Sequence, residues 1–477
     1  MAWQELPDSV KWGLVPYTRG MGFEIGSGPK KTFPHFISVD RLPNTRLYGS
    51  HVQPDMVVQS VTKLSGLTTG QWDFVFAPFH PDGNHEIDLQ EWWRLLKTDG
   101  HLCLYWKDPI TVDIKGWDLV HDELVEEARF QVYKKLAGAE HRLPETSGRK
   151  PKPTKTCAVV RLGAFGDLIQ ASSVFPGLKA DGYHITLFTA PRGYEVVKND
   201  PNVDAFVIQD PDQVPIHELG NFWKWLKTRY QRFINLSETV EGNLLSTPDR
   251  SMHAWPHELR HALLDVNYLE VTHAVAGIPF PPKQKFYPTE IERAWARKER
   301  QKMGGSKVIL WTLSGSSIHK TWPYLDQIIA RILTTDKDAR IVTVGEEACK
   351  LLEQGWEIEE RVVKKSGEWT IRQTLAFIDQ ADLLVGPETG VMNAAGLHKV
   401  PKVVTLSHSS IENLTKHWKN CTSLTPKNTP CYPCHQLHYG SEFCPRHPKE
   451  GTSMCQADIS ADAMWEAILP HLARKAA

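Results

Sequence analysis

The sequence predicts an α/β chain built from Rossmann-like, doubly wound sheets, one in a front unit and a pair behind it. Three observations predict this. A strand-like run, a glycine turn and an apolar helix succeed one another in "CAVVRLGAFGDLIQASSVFPGLKADG" (157–182), with "HITLFTA" (184–190) as the next strand. The alternation restarts at "KVILWTLSG" (307–315) and runs through "YLDQIIARILTTD", "RIVTVG", "IRQTLAFIDQA" and "DLLVG" to the turn "PETGVMNAAGL". A shorter version opens the chain, where "GFEIGSG" (22–28) leads a strand into a glycine turn and "FISVD" (36–40) ends a second strand on an acid.

Composition bounds the rest. With 477 residues, 41% hydrophobic and 23% charged, the chain can bury two or three cores. A formal net charge of −1 gives no global reason to seek nucleic acid or an anionic membrane. The start "MAWQELPDSVKWG" lacks a basic stretch followed by an apolar one, and no apolar run reaches the roughly 18 residues of a membrane span. The expectation is a soluble protein made and kept in the cytoplasm. Four of the eight cysteines crowd between Cys431 and Cys455, which calls for a local explanation.

The stretch "HRLPETSGRKPKPTKT" (141–156) combines prolines and cations without apolar periodicity and reads as a linker. It separates a front unit (1–140) from the paired sheets, divided into 157–285 and 286–477. In the front unit "WDFVFAPF" (72–79) reads as a buried strand, "LQEWWRLLKTDG" (89–100) as an amphipathic helix closed by Gly100, and "HLCLYW" as another strand. "GWDLVHDELVEEARFQVYKKL" (116–136) reads as two strands suited to an antiparallel edge. Gly26 and Gly28 would let the backbone approach a ligand, and Asp40 would hydrogen-bond a ribose.

These pieces resemble the class I S-adenosylmethionine-dependent methyltransferases: Glu24 before the "EIGSG" turn, Asp40, the "WDFVF" strand and "EWWRLLKTDGHLCLYW". The resemblance spans about 115 residues. It implies a methyltransferase-type domain with S-adenosylmethionine as ligand, but only about a dozen residues separate Gly28 from Asp40, which leaves no room for the usual first helix.

Behind the linker, "RLGAFGDLIQASSVFPGLK", "SGSSIHKTWP" (314–323), "GPETGVMNAAGLHKVPKVVTL" (386–406) and the tail "PCYPCHQLHYGSEFCP" with "MC" at 454–455 resemble glycosyltransferase family 9, the lipopolysaccharide heptosyltransferases. The four motifs occur in the family's order over some 300 residues. The resemblance implies a GT-B pair of Rossmann-like domains, acceptor side first and nucleotide-sugar side second, and an inverting, metal-independent transfer of a sugar from a nucleotide diphosphate to an acceptor hydroxyl.

Such a transfer needs a base for the acceptor proton and a cation for the leaving diphosphate. Asp167, on the glycine turn with Gly163 and Gly166, matches the family's base; by itself an acid in that place reads as helix-dipole stabilisation of about 0.3–1 kcal/mol. Lys320 matches the family's phosphate-neutralising lysine, with Ser314, Ser316 and Ser317 as hydroxyl donors. Thr389 and Gly390 open a helix at the diphosphate, or form an ordinary cap. Glu388 stands where the family carries aspartate and Asn393 where it carries histidine, so a heptose-like or another sugar is expected, on ADP in preference to other nucleotides.

The late cysteines are spaced C-x2-C-x9-C-x10-C at Cys431, Cys434, Cys444 and Cys455. One close pair supplies two ligands of a zinc tetrahedron, but there is no second close pair, so free thiols or a disulfide are favoured over zinc. The helix-like "GNFWKWLKTRYQRF" (220–233), with Trp223, Trp225 and Arg229, would pack on the cleft floor or stack on sugars. A glycan or lipopolysaccharide acceptor is expected. The front unit also admits a phage-encoded enzyme acting on a virion protein or modified DNA, a bifunctional enzyme that methylates the sugar it transfers, and an assembly protein whose two folds have lost catalysis.

Overall fold

The computed structural model describes residues 5–27, 30–40, 54–58, 64, 66–78, 85–107, 116–137, 155–237, 239–280, 282, 286–305, 307–315, 317–438 and 444–473. The chain is α/β, with the strands of the described residues in three sheets. It divides into two compact units, residues 1–158 with 207–233 and residues 159–206 with 234–477.

The first sheet takes β1 (Gly22–Ile25), β2 (Ile37–Asp40), β3 (Met56–Val57), β4 (Trp72–Ala77), β5 (Leu96–Trp106), β6 (Trp117–Val125) and β7 (Ala128–Lys135), in the order β3-β2-β1-β4-β5-β7-β6. Strands β1 to β5 pair in parallel, while β7 runs antiparallel to both β5 and β6, the edge pair expected of 116–136. Its core gathers Phe23, Ile25, Val39, Val75 and Leu102 under Leu89, Trp92 and Leu95 of the helix His85–Leu95, whose three- and six-residue spacing sets them on one face. No helix is described between β1 and β2, in line with their short separation.

Two expectations are corrected here. Gly100 does not close the helix: the helix ends at Leu95 and β5 begins at Leu96, which pairs with Trp72. Gly100 lies inside β5, where an added Cβ would meet the carbonyls of Lys97 and Asp73 at 2.9 and 3.0 Å. The aromatic helix (Ile216–Arg229) packs not on a cleft floor but on the first helix of the chain. Phe222 packs on Trp12 of the helix Asp8–Gly13, ring centres 5.7 Å apart, and the Arg229 fork donates to both oxygens of Glu123 at 2.8 Å.

The second sheet takes β8 (Thr156–Arg161), β9 (His184–Thr189), β10 (Ala205–Ile208) and β11 (Arg232–Asn235), in the order β10-β9-β8-β11. The third is wholly parallel: β12 (Lys307–Thr312), β13 (Ala339–Val344), β14 (Val362–Lys364), β15 (Leu383–Pro387), β16 (Lys402–Thr405) and β17 (Cys421–Leu424), in the order β14-β13-β12-β15-β16-β17. All six residues of β12 are buried, the continuous apolar run of a strand covered on both faces. The helix Leu325–Thr335 lays Leu325, Ile328, Ile329, Ile332 and Leu333 into that core at helical spacing, against Trp311, Ile341 and Met464. Each such side chain contributes about 1.5–3 kcal/mol of burial, and truncating Ile328 to alanine would cost about 2–5 kcal/mol.

Candidate functional site

In all three sheets the first strand lies between the second and the fourth of its series. The chain therefore leaves the central pair in opposite directions, and a crevice opens beyond the carboxyl ends of those two strands. In the second sheet these ends carry Arg161–Asp167, after β8, and Leu236–Glu241, after β11. In the third they carry Leu313–Lys320, after β12, and Glu388–Gly390, after β15. The sequence candidates thus fall at the switch points.

Asp167 sits in the first turn of the helix Phe165–Ala171, half-buried, with its Oδ2 3.1 Å from Nη2 of Arg161. Arg161 ends β8 with a completely buried side chain. Its Nη1 lies 3.5 Å from Glu241 Oε2 and donates to the carbonyl of Ser237. Burial works against this charge, but Tyr268, Asp167 and Glu241 outweigh it and raise the arginine above its ordinary pKa. Tyr268 donates its hydroxyl to the carbonyl of Asp167 at 3.2 Å. Gly163 makes room for the guanidinium, since a Cβ there would lie 2.8 Å from Arg161 Cζ. The acid is therefore held by a cation with two further anchors, which fixes its orientation and leaves one edge toward solvent.

Lys320 ends the short helical turn Ile318–Lys320 and is 8% exposed. Burial lowers its pKa, while Glu388 and Asp167 act through space to keep it charged. Among the described residues no carboxylate lies within 4 Å of its ammonium. Its stem lies across Gly315, where a Cβ would meet Lys320 Cδ at 3.0 Å.

Glu388, 3% exposed, turns inward. Its Oε1 accepts from Ser407 N (2.7 Å), Ser407 Oγ (2.5 Å) and His408 N (3.1 Å), and its Oε2 lies 3.5 Å from His408 Nε2. Burial alone would raise this carboxyl; His408, Lys320 and the serine hydroxyls reverse the sign and lower it. Burial pushes His408 down to about 3 against the pull of Glu388. The longer side chain at 388 is thus hydrogen-bonded to Ser407 and His408, just past the end of β16.

Gly166 and Gly390 have a packing reason of their own. A Cβ on Gly166 would lie 2.7 Å from Gly390 Cα and 3.3 Å from Asn393 Nδ2, and one on Gly390 would lie 2.5 Å from the Phe165 ring. The helices Phe165–Ala171 and Gly390–Ala395 cross there. Thr389 caps the second of them, accepting from Met392 N at 3.3 Å. Ser317 caps its own turn, accepting from His319 N, and Ser314 accepts from Thr321 Oγ1 at 3.2 Å. Ser316 lies outside the described residues.

In the first unit Glu24, buried in β1, accepts from Thr32 N (2.8 Å) and Thr32 Oγ1 (2.5 Å), tying down the loop that follows. Burial raises it to about 7 against the two hydrogen bonds and Lys31. Gly26 has φ +70°, a left-handed turn that suits glycine, and Asp40 closes β2 beside it in the sheet. Gly28 lies outside the described residues.

The four late cysteines are free thiols and lie within electrostatic reach of one another; burial is the main cause that raises Cys444 to about 11 and Cys455 to about 12. Among the described residues, the one His/Cys/Asp/Glu group whose ligand atoms all approach within 4.8 Å is His261, Asp265 and His435. No described helix is long and apolar enough to cross a membrane. Arg161, Glu241, Tyr268, Gly315, Ser407 and His408 were not anticipated as site residues. Only Arg161 carries a signal, a cation ending an otherwise apolar buried run.

No protein-family model and no curated protein matches the chain. Among solved structures it is similar to a family 9 glycosyl transferase from Veillonella parvula (15% identity, TM-score 0.49, covering 67% of this chain and 97% of that one). It is also similar to the ADP-heptose lipopolysaccharide heptosyltransferase II of Escherichia coli (16%, 0.46, 66% and 98%) and to an E. coli heptosyltransferase bound to ADP (11%, 0.38, 66% and 97%). All three are distant likenesses.

Proposed function

We propose that the chain is an inverting glycosyltransferase of GT-B type, which moves a sugar from a nucleotide diphosphate to an acceptor hydroxyl between the second and third sheets. The observation that carries this is Lys320: a buried cation at the switch point of a parallel sheet, with no carboxylate within 4 Å among the described residues and with Asp167 in electrostatic range. A diphosphate supplies the missing charge, and the lysine neutralises the negative charge that grows on the leaving group. Asp167, oriented by Arg161 and still reaching solvent, takes the acceptor proton. A glycan is the proposed acceptor and an ADP-sugar the first donor to try. In the first unit the ends of β1 and β2 are the proposed place for S-adenosylmethionine.

Thermal unfolding against ADP-, UDP-, GDP- and dTDP-sugars and S-adenosylmethionine tests the reading, because a ligand that binds only the folded state at 100 times its Kd adds about 2.7 kcal/mol. One nucleotide family should raise the midpoint of the wild type, and Lys320→Met should abolish that increment while remaining folded. With the donor so identified, Asp167→Asn should lower transfer by about 10²-fold or more. A flat response to every nucleotide would refute the donor site.

A further inference from the structure

We propose that His261, Asp265 and His435 form a binding site for a divalent transition-metal ion of the zinc, cobalt and iron(II) class. His261 Nδ1 lies 3.0 Å from His435 Nε2, and the Asp265 carboxylate faces both rings, 3.9 Å from His261 Nε2 and 4.0 Å from His435 Nε2. A hydrogen bond between the imidazoles accounts for the first distance but not for a carboxylate set against both. Two imidazole nitrogens and one carboxylate oxygen suit an ion of borderline softness, and water completes its shell.

The group is assembled from distant parts of the chain. His261 and Asp265 are four residues apart at the end of the helix His257–Leu264, which places them on one side of it. His435 arrives from the tail, fully buried and at φ +52°, a left-handed conformation rare outside glycine. Its backbone is held on both sides: His435 N donates to the His408 carbonyl at 3.0 Å, and Ser246 N donates to the His435 carbonyl at 2.8 Å.

Each potential ligand atom is presentable. His435 is fully buried, with its ring turned to the other two groups. Its Nδ1 has no hydrogen-bond partner among the described residues, so that nitrogen can carry the proton and leave the lone pair on Nε2, which faces His261 and Asp265. Asp265 accepts from Ser410 Oγ, which orients the carboxylate and leaves an oxygen over. Two further groups of basic character face the site. Arg260 gives its N–H groups to the carbonyls of Cys434, His253 and Trp255, and so does not occupy Asp265. His257 stacks on His261 and meets the Pro433 carbonyl through Nε2.

An ion here would clamp the tail to the helix His257–Leu264 and, through the His435–His408 backbone bond, brace the turn that holds Glu388. The site shares no ligand with the four cysteines. Cobalt(II) separates the two, because thiolate ligation adds a sulfur-to-metal charge-transfer band that imidazole and carboxylate lack. The full chain, reduced and stripped with chelator, is titrated with Co²⁺ while its visible spectrum and unfolding midpoint are followed. One equivalent should bind without the thiolate band and raise the midpoint, also in a Cys434→Ser variant. Asp265→Asn keeps the volume and the acceptor for Ser410, and His261→Ala alters a half-exposed side chain; each should weaken that binding at least tenfold. Binding unchanged in both variants, binding seen only with the thiolate band, or no binding to the folded protein would each overturn the proposal.

Discussion

Replacing Arg161 by methionine tests whether the acid at the second-sheet switch point is held as the geometry implies. The substitution keeps the length and apolar bulk of the side chain and removes only the fork. Breaking a buried ion pair from one side costs about 3–5 kcal/mol when the charge left behind stays buried. Here the charges left behind are Asp167 and Glu241, whose side chains are 22% and 25% exposed, so both regain water and the cost falls below that range, to about 2–3 kcal/mol. The Ser237 carbonyl loses its donor, worth about 1 kcal/mol more. At about 2 °C per kcal/mol for a unit of this size, the unfolding midpoint should fall by roughly 6–8 °C. Arg161→Lys restores the charge but cannot serve Asp167, Glu241 and Ser237 from one planar group, so it should recover part of the stability and little of the transfer rate. Combining Arg161→Met with Asp167→Asn should show a coupling of about 1 kcal/mol or more in unfolding. A midpoint within about 1 °C of wild type, or additive single effects, would refute the anchoring of Asp167 by Arg161.

Further outcomes follow from other contacts. Glu24 is raised in the folded state to about 7 from an ordinary 4.5. Between those values the folded state therefore binds more protons than the unfolded one, and stability falls as pH rises, by up to about 3 kcal/mol. Glu24→Gln should flatten that dependence in unfolding measured from pH 5 to 8. Glu388 has the opposite sign: lowered in the folded state, it contributes stability above the unfolded value that is lost as pH falls through the folded one. Glu388→Gln should weaken the acid sensitivity of the second unit below about pH 4.5. Gly166→Ala should cost about 1–3 kcal/mol, because its methyl would strike the Gly390 backbone, which cannot step aside as a side chain can.

The strands and turns that carry the candidates were legible because each pairs an apolar run with a glycine: "CAVVRLG" before Asp167, "KVILWTLSG" before Lys320, "DLLVG" before Glu388. Their partners were not. Glu241 and Ser237 follow β11, a four-residue strand without any motif, and His408 follows β16; each meets its candidate only because the strand order sets β11 beside β8 and β16 beside β15. Gly100 misled for a related reason. A glycine after an amphipathic run looks like a helix stop, but the pairing of Leu96 with Trp72 draws the chain into β5 before the helix can use it. The aromatic helix was recognised as a helix, while its neighbour, Trp12 some 210 residues earlier, has no local signature.

The contact between Gly166 and Gly390 constrains how a transfer reaction would use this crevice. Two helices that approach until a single methyl would strike backbone leave no space for a ligand between their glycine turns. Asp167 follows Gly166 directly and acts through space on Lys320, whose stem lies against Gly315 and near the Glu388 carbonyl and Thr389. The acid adjoins the glycine contact through Gly166, and the cation lies within electrostatic range of the acid. On the function proposed above, a diphosphate at Lys320 and an acceptor at Asp167 bind beside the contact and not between the glycine turns, which act as a fixed spacer. The bonds that hold the two lobes of this unit support a spacer over a hinge. The Arg372 fork reaches Glu292 as well as the backbone carbonyls of Glu195 and Tyr287, and Asn413 donates to the carbonyls of Leu264 and Val266. Opening the lobes far enough to admit a ligand between the glycines would break this network, whereas binding beside them would leave it intact.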